Sequence, residues 1–162
     1  MVLHTHRRAA RGSRALIFFR VHGTPKPQPR PRATIRGKHA GVYDPGTAGE
    51  WRKAVRQATE SIIYATADTY FPLSGPLYCE LEVLLPRPER LMRKKDPEGA
   101  VWAPNKRDDV DNLAKAILDA MTEAGAWEDD GQIVRLEVLK KWHAKGESPG
   151  AVISFGKMLA DP

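Results

Sequence analysis

Between residues 109 and 142 the hydrophobic period of this chain changes once, and it changes across a single glycine. Leu113, Ala116, Ile117, Ala120, Met121 and Ala124 recur at i, i+3, i+4, i+7, i+8 and i+11, which is one buried face of a helix. Gly125 stands where a left-handed residue would close that helix. Residues 132–142 then read as a strand, with Val134, Leu136 and Val138 on one face and Lys140 sharing their parity. The same stretch concentrates acid in an otherwise basic chain. Asp108, Asp109 and Asp111 precede the helix, and Asp129-Asp130 precede the strand.

A helix over residues 112–124 is about 20 Å long. Five or six extended residues after Gly125 return about 16–20 Å. On that path Asp130 comes back level with Asp109 and Asp111, and three carboxylates converge. Like charges at close range repel unless a cation intervenes, and hard oxygen donors suit Mg²⁺, with Mn²⁺ as a substitute. A plainer reading stands beside this one: an acidic helix start favoured by the macrodipole, followed by an acidic turn.

The remaining periodicities place these segments in a domain. Residues 15–22 read as a strand rich in Ile, Phe and Val. Prolines at 25, 27, 29 and 31 then forbid helix and hold Lys26, Arg30 and Arg32 on a stiff, extended segment. Residues 37–45 are turn-rich, a hairpin or a loop. Thr47 and Glu50 have capping-box spacing ahead of Trp51, Ala54, Val55, Ala58, Ile62 and Ala65, a second helical stripe. Trp51 reads as a packing anchor. Leu77, Cys79, Leu81, Val83 and Leu85 alternate with Tyr78, Glu80, Glu82 and Leu84, a strand with one buried face, halted by Pro86 and Pro88. Residues 87–107 form a long loop with seven basic and three acidic side chains. A short strand over 151–155 ends the series. The order is strand, loop, helix, strand, loop, helix, strand, strand. It predicts one α/β (α+β) domain over residues 15–162, a mixed sheet packed by two main helices, behind a basic disordered tail over 1–14.

Several function classes fall away. No apolar run approaches the roughly 20 residues that cross a bilayer, and the basic start carries no secretory pattern. The single cysteine, Cys79, has no internal partner and sits in an apolar alternation, so a core role and a cytoplasmic setting are expected. An EF-hand fails, because Leu113, Ala114 and Ala120 stand at loop positions 5, 6 and 12. His4, His6, His22, His39 and His143 lie outside the acidic block. Net charge is +6, but the four arginines of residues 1–14 account for most of it. Local clusters are the better guide: basic loops beside carboxylates are what metal-assisted cleavage of a phosphate backbone requires.

The acidic block also has a family likeness. Asp109-x-Asp111-Asn112-Leu113-x-Lys115-x-x-x-Asp119-Ala120, followed by Trp127-x-Asp129-Asp130-x-Gln132, resembles the RusA family of Holliday junction resolvases. Lys140 stands where that family has a strand lysine, and the proline- and arginine-rich segment is similar to that of phage-type members. The resemblance implies a small homodimeric Mg²⁺-dependent endonuclease that nicks two opposing strands of a four-way DNA junction. It implies Asp109, Asp111 and Asp130 as the essential carboxylates and Lys115 as the functional lysine. Where the family frequently has Lys-Pro-Asp, this chain has Lys106-Arg107-Asp108-Asp109, and the spacing to Asp111-Asn112 selects Asp109 over Asp108. Asp119 is expected to orient Lys115. Asn112 is expected to bind phosphate or the acidic loop, or to cap the helix. Lys26, Arg30, Arg32, Lys106, Arg107 and Lys140 are the candidate phosphate contacts. A non-catalytic junction-binding protein, and a metal nuclease acting on another branched DNA or on RNA, remain as alternatives.

Overall fold

The computed structural model describes residues 13–29, 32–36, 39–43, 46–66 and 69–158. Strand β1 (Ser13–His22) begins two residues before the expected start, and the rest of the basic tail lies outside the described residues. The hairpin alternative holds after the proline segment, where β2 (Arg32–Arg36) pairs with β3 (His39–Tyr43). Helix α1 (Gly49–Ala65) is followed by β4 (Leu77–Leu85), a two-residue β5 (Val101–Trp102), α2 (Val110–Glu123), β6 (Ile133–Trp142) and β7 (Gly150–Met158). Five strands form one mixed sheet in the order β1-β7-β4-β6-β5.

β4 is central. It runs antiparallel to β7 and parallel to β6, and α2 supplies the crossover that a parallel pair needs. Flanked on both sides, it buries more than the single face its alternation predicts: Tyr78 and Leu84, on the other face, are also buried. The helix-side face carries Cys79, Leu81 and Val83, which join Phe19, Ile153, Phe155 and the apolar stripe of α2 in one core. Trp127 meets Phe155 edge-on at 5.6 Å between ring centroids, and its Nε1 donates to Thr122 Oγ1 at 2.7 Å. Each large aliphatic side chain buried there contributes about 1.5–3 kcal/mol. Burial also pushes the Cys79 thiol pKa well up, as suits a core residue.

The stripe of α2 falls where the periodicity put it, and that of α1 does so from Trp51 to Ile62, whereas Ala65 at the helix end is exposed. Val55 and Trp51 of α1 are buried, and Gly125 closes α2 at φ 83°. The capping box at Thr47 does not form. The N-cap is Ala48, with no side-chain bond, because a backbone turn from Gly49 N–H to the Gly46 carbonyl already delivers the chain into the helix.

The loop over 87–107 is less free than its composition predicts. It contains a 3₁₀ turn, Glu89–Leu91, and β5. Arg87 is buried and donates to the carbonyls of Leu91, Gly99 and Pro97 at 2.7–3.0 Å and to that of His143 at 3.4 Å. Lys145 reaches the carbonyls of Arg93 and Asp96 and the carboxylate of Glu98. A loop with little secondary structure must satisfy its carbonyls elsewhere, and these cations do so.

Candidate active site

The start of α2 presents two carboxylates. Asp109 is the N-cap, with extended backbone (φ −66°, ψ 136°) and no capping bond from its side chain, and Asp111 lies in the first turn. Both are exposed and make no side-chain hydrogen bond or ion pair among the described residues. The positive end of the helix dipole favours carboxylates at these positions. Asn112 is not the cap. Its main-chain carbonyl accepts the N–H of Gln28 at 2.8 Å, which docks the proline segment onto α2 and brings Lys26 to the same end of the helix.

Asp108 differs from its neighbour. Its carboxylate accepts Asn105 Nδ2 at 2.5 Å, and its carbonyl accepts Lys140 Nζ at 2.6 Å. Lys140 Nζ also donates to the Asn105 carbonyl at 2.9 Å. Lys140 therefore ties β6 to the lead-in of α2, with its ammonium turned toward backbone oxygens. Asp108 is held in this clamp, and Asp109 is left free. One turn into the helix, Lys115 Nζ pairs with Asp119 Oδ1 at 3.0 Å, the i,i+4 arrangement expected of a lysine with an orienting acid.

Asp130 opens a second 3₁₀ turn, Asp130–Gln132, directly before β6. Asp129 caps this turn by accepting Gly131 N–H at 2.7 Å. Gln132 Oε1 accepts the N–H groups of Glu128 and Asp129, and its Nε2 donates to the carbonyls of Leu73 and Gly75 at 3.2 Å. The acidic turn is thus pinned to the segment entering β4, and the Asp130 carboxylate stays exposed and unpaired among the described residues. Asn105, Asp129 and Gln132 are supports to which sequence reasoning gave no role. The Asp129-x-x-Gln132 spacing is itself a capping-box signal.

Among the described residues, no group of three or more His, Cys, Asp or Glu is arranged to hold a metal ion. The path from Gly125 explains why. Ala126 N–H still bonds back to Met121, and a 3₁₀ turn begins at Asp130. Between them the chain bends at Ala126 and Glu128, so it is not extended over the five or six residues that a return of about 16–20 Å needs. The donor chemistry nevertheless fits Mg²⁺. That ion commonly takes one or two carboxylates, keeps several waters and completes its shell with substrate phosphate oxygens, so an all-protein cage is not needed. Asp109 and Asp111, exposed and free on one helix end, meet that description.

Of the phosphate-contact candidates, Lys26, Lys106 and Arg107 are exposed and make no ion pair among the described residues. Arg30 lies outside the described residues, as does the side chain of Arg32. Trp102, 64 % exposed, lies under Lys141 Nζ at 4.9 Å, close in sequence to the acidic lead-in.

The family model for endodeoxyribonuclease RusA matches residues 22–154, which take in both helices, β4, β5, β6 and the first half of β7 but leave β1 outside except for His22. The chain belongs to the RusA family. All the candidate residues lie within the RusA match. Bacillus subtilis protein YqaN, described as uncharacterized, is 28% identical over 128 residues, 76% of this chain and 86% of its own length. The crossover junction endodeoxyribonucleases RusA of Escherichia coli K12 and of enterobacteria phage 82 are each 51% identical over 41 residues, 25% of this chain and 34% of theirs. Among the described residues, no helix is long and apolar enough to cross a membrane.

Proposed function

We propose that this protein is a Mg²⁺-dependent, structure-specific endodeoxyribonuclease that resolves Holliday junctions by paired symmetric nicks in DNA recombination and repair. The match to the RusA family over residues 22–154 carries the reading. The local 51% identity to relatives named crossover junction endodeoxyribonucleases supports the choice of substrate.

Asp109 and Asp111 are the proposed ligands at the start of α2, and Asp130, which this fold does not cluster with them, is the third that the family likeness implies, with Mn²⁺ as a substitute for Mg²⁺. When bound, the ion lowers the pKa of a coordinated water and offsets charge on the phosphate oxygens. The chain's own residues do the rest. A carboxylate at the start of α2 accepts a proton from the attacking water and steers it in line with the leaving oxygen. Lys115, steadied by Asp119, offers its ammonium to a nonbridging or leaving oxygen. Lys26, Lys106 and Arg107, joined by Arg30 and Arg32, hold the backbone by phosphate contacts that position without reading sequence. Lys140 and Asn105 keep the lead-in of α2 in register with β6. A homodimer presents two such sites to one junction, in the cytoplasm of a bacterium or phage-infected host.

The deciding experiment is nicking of a synthetic four-way junction with and without Mg²⁺, alongside duplex, flap and RNA competitors. Paired nicks that require the metal and the junction uphold the proposal. Binding without nicking makes the protein a junction-binding factor, and preferential cleavage of a competitor makes it a metal nuclease of another substrate.

A further inference from the structure

We infer that the outer edge of β6 is where two copies of this chain meet, by antiparallel pairing of Ile133–Leu139 about a two-fold axis at Leu136. β5 covers only one end of β6: Val101 and Trp102 pair with Trp142 and Lys141, and Ala103 N–H bonds the Lys140 carbonyl. From 133 to 139 the outer edge has no strand partner among the described residues. The Lys140 carbonyl points outward, so the alternation of the strand turns the amides and carbonyls of Val138 and Leu136 outward too. Proteins usually blunt such an edge with lysine, proline or a covering loop. Here Val134 is 65 % and Leu136 44 % exposed.

The sequence of the edge is self-complementary. With Leu136 opposite its own copy, Arg135 lies opposite Glu137 of the second chain, and Glu137 opposite Arg135. Val138 approaches Val134 of the second chain, where β6 has an extra residue against β4 between Ile133 and Arg135. Leu136 is one of the outward-bonding residues, so the axis falls on a hydrogen-bonded pair and the Arg–Glu pairs fall at the closer, non-bonded positions. Within one chain Arg135 makes only long contacts, 3.6 Å to Glu137 and 3.8 Å to Glu80, and it is 41 % exposed. It is free to serve a second carboxylate. Arg135 and Glu137 sit in register with Tyr78 and Glu80, on the face away from the helices, and Leu136 sits in register with Cys79 on the helix side. Charged pairs therefore line one face of the joint and apolar pairs the other. A two-fold axis normal to the sheet leaves both α2 helices on one side of a continuous sheet, so both acidic helix starts face one substrate. The inference deepens the two-nick reading, and it rests on that reading only for the need for two sites.

The test is sedimentation equilibrium of the full chain with three variants. The unmodified chain sediments at twice 18.0 kDa, and L136K, which places like charges on the axis, sediments as a monomer. R135E weakens the dimer about tenfold, since like charges then face each other in two symmetric pairs, and R135E combined with E137R restores it. L136C forms an intermolecular disulfide on oxidation, because hydrogen-bonded antiparallel pairs place Cα atoms about 5.5 Å apart and Cys79 is buried. A monomeric unmodified chain overturns the inference. So do L136K and R135E dimers as tight as the parent, or absence of the disulfide if the charged variants fail to fold. Junction nicking is assayed in parallel. A dimer that persists in L136K with nicking intact removes this interface and leaves the nuclease reading. A β6 dimer that nicks nothing does the reverse.

Discussion

Six aspartates lie between residues 108 and 130; Asp119 is paired with Lys115, and the neighbours of the other five divide the work among them. Asp108 and Asp129 are engaged, the first by Asn105 and the second by Gly131. Asp109, Asp111 and Asp130 are exposed and unpaired among the described residues. A carboxylate already accepting hydrogen bonds is worth less to a cation than a free one, so the two sets respond differently to substitution. Asp111→Asn is expected to lower nicking at least about a hundredfold, several kcal/mol of lost charge stabilisation. Junction binding stays level or tightens, because repulsion between carboxylate and phosphate falls. Single-turnover cleavage and gel-shift titration of the same protein separate the two effects, and full activity in this variant defeats the assignment. Asp109→Asn behaves likewise. Asp108→Asn keeps an oxygen for Asn105 and stays within a few-fold of the parent. If the last two exchange places, the free carboxylate is not the working one.

Two devices hold the acidic segments, and each lends itself to a test by removal. The Lys140 clamp joins β6 to the lead-in of α2, and the Gln132 side chain joins the turn before β6 to the entry of β4. Lys140→Met leaves two part-buried carbonyls without their donor and costs about 1–3 kcal/mol. Chemical denaturation reads that loss, and the salt dependence of junction binding stays unchanged. A flatter salt dependence would make Lys140 a phosphate contact instead. Gln132→Ala frees two N–H groups and two carbonyls together and costs a similar amount, with nicking falling further than binding. These clamps mark the limit of what the residues disclosed beforehand. The stripes of α1 and α2, the closing role of Gly125 and the alternation of β4 were legible because period and turn chemistry are local. That β4 is central, that Arg87 and Lys140 are spent on carbonyls, and that bends and a 3₁₀ turn, not an extended strand, carry the chain to Asp130 were not. Each depends on which strand lies beside which, and that is settled by long-range packing. Alternation put Val134, Leu136 and Val138 on one face of β6, and that Val134 and Leu136 are exposed there was not legible for the same reason.

At the level of the whole molecule, net charge misstates the surface offered to DNA. Of the cations outside the first 14 residues, Arg87 is buried among carbonyls. Lys140 and Lys145 are tied to the backbone, and Arg20, Arg52, Arg93 and Lys141 are paired with acids. Of the cations that are exposed and without ion pairs among the described residues, Lys53, Lys94 and Lys95 included, Lys26, Lys106 and Arg107 are the ones placed by the chain beside the start of α2. Each cation that contacts a phosphate releases a counterion, and the slope of log K against log salt changes by about 0.9 per contact on duplex arms. Replacing Lys26, Lys106 and Arg107 together by alanine should flatten that slope by about 2.7 and weaken binding at low salt far more than at high salt. Nicking at saturating protein should change little, because none of the three is proposed to touch the reacting phosphate. Lys145→Ala is the control for a single charge: it removes one ammonium, but one committed to carbonyls, so the slope holds and thermal stability falls. A slope change of about 0.9 in this control, one third of that in the triple variant, would show that DNA responds to the sum of charge and not to its placement. A slope lost only in the triple variant locates the DNA path across the acidic end of α2.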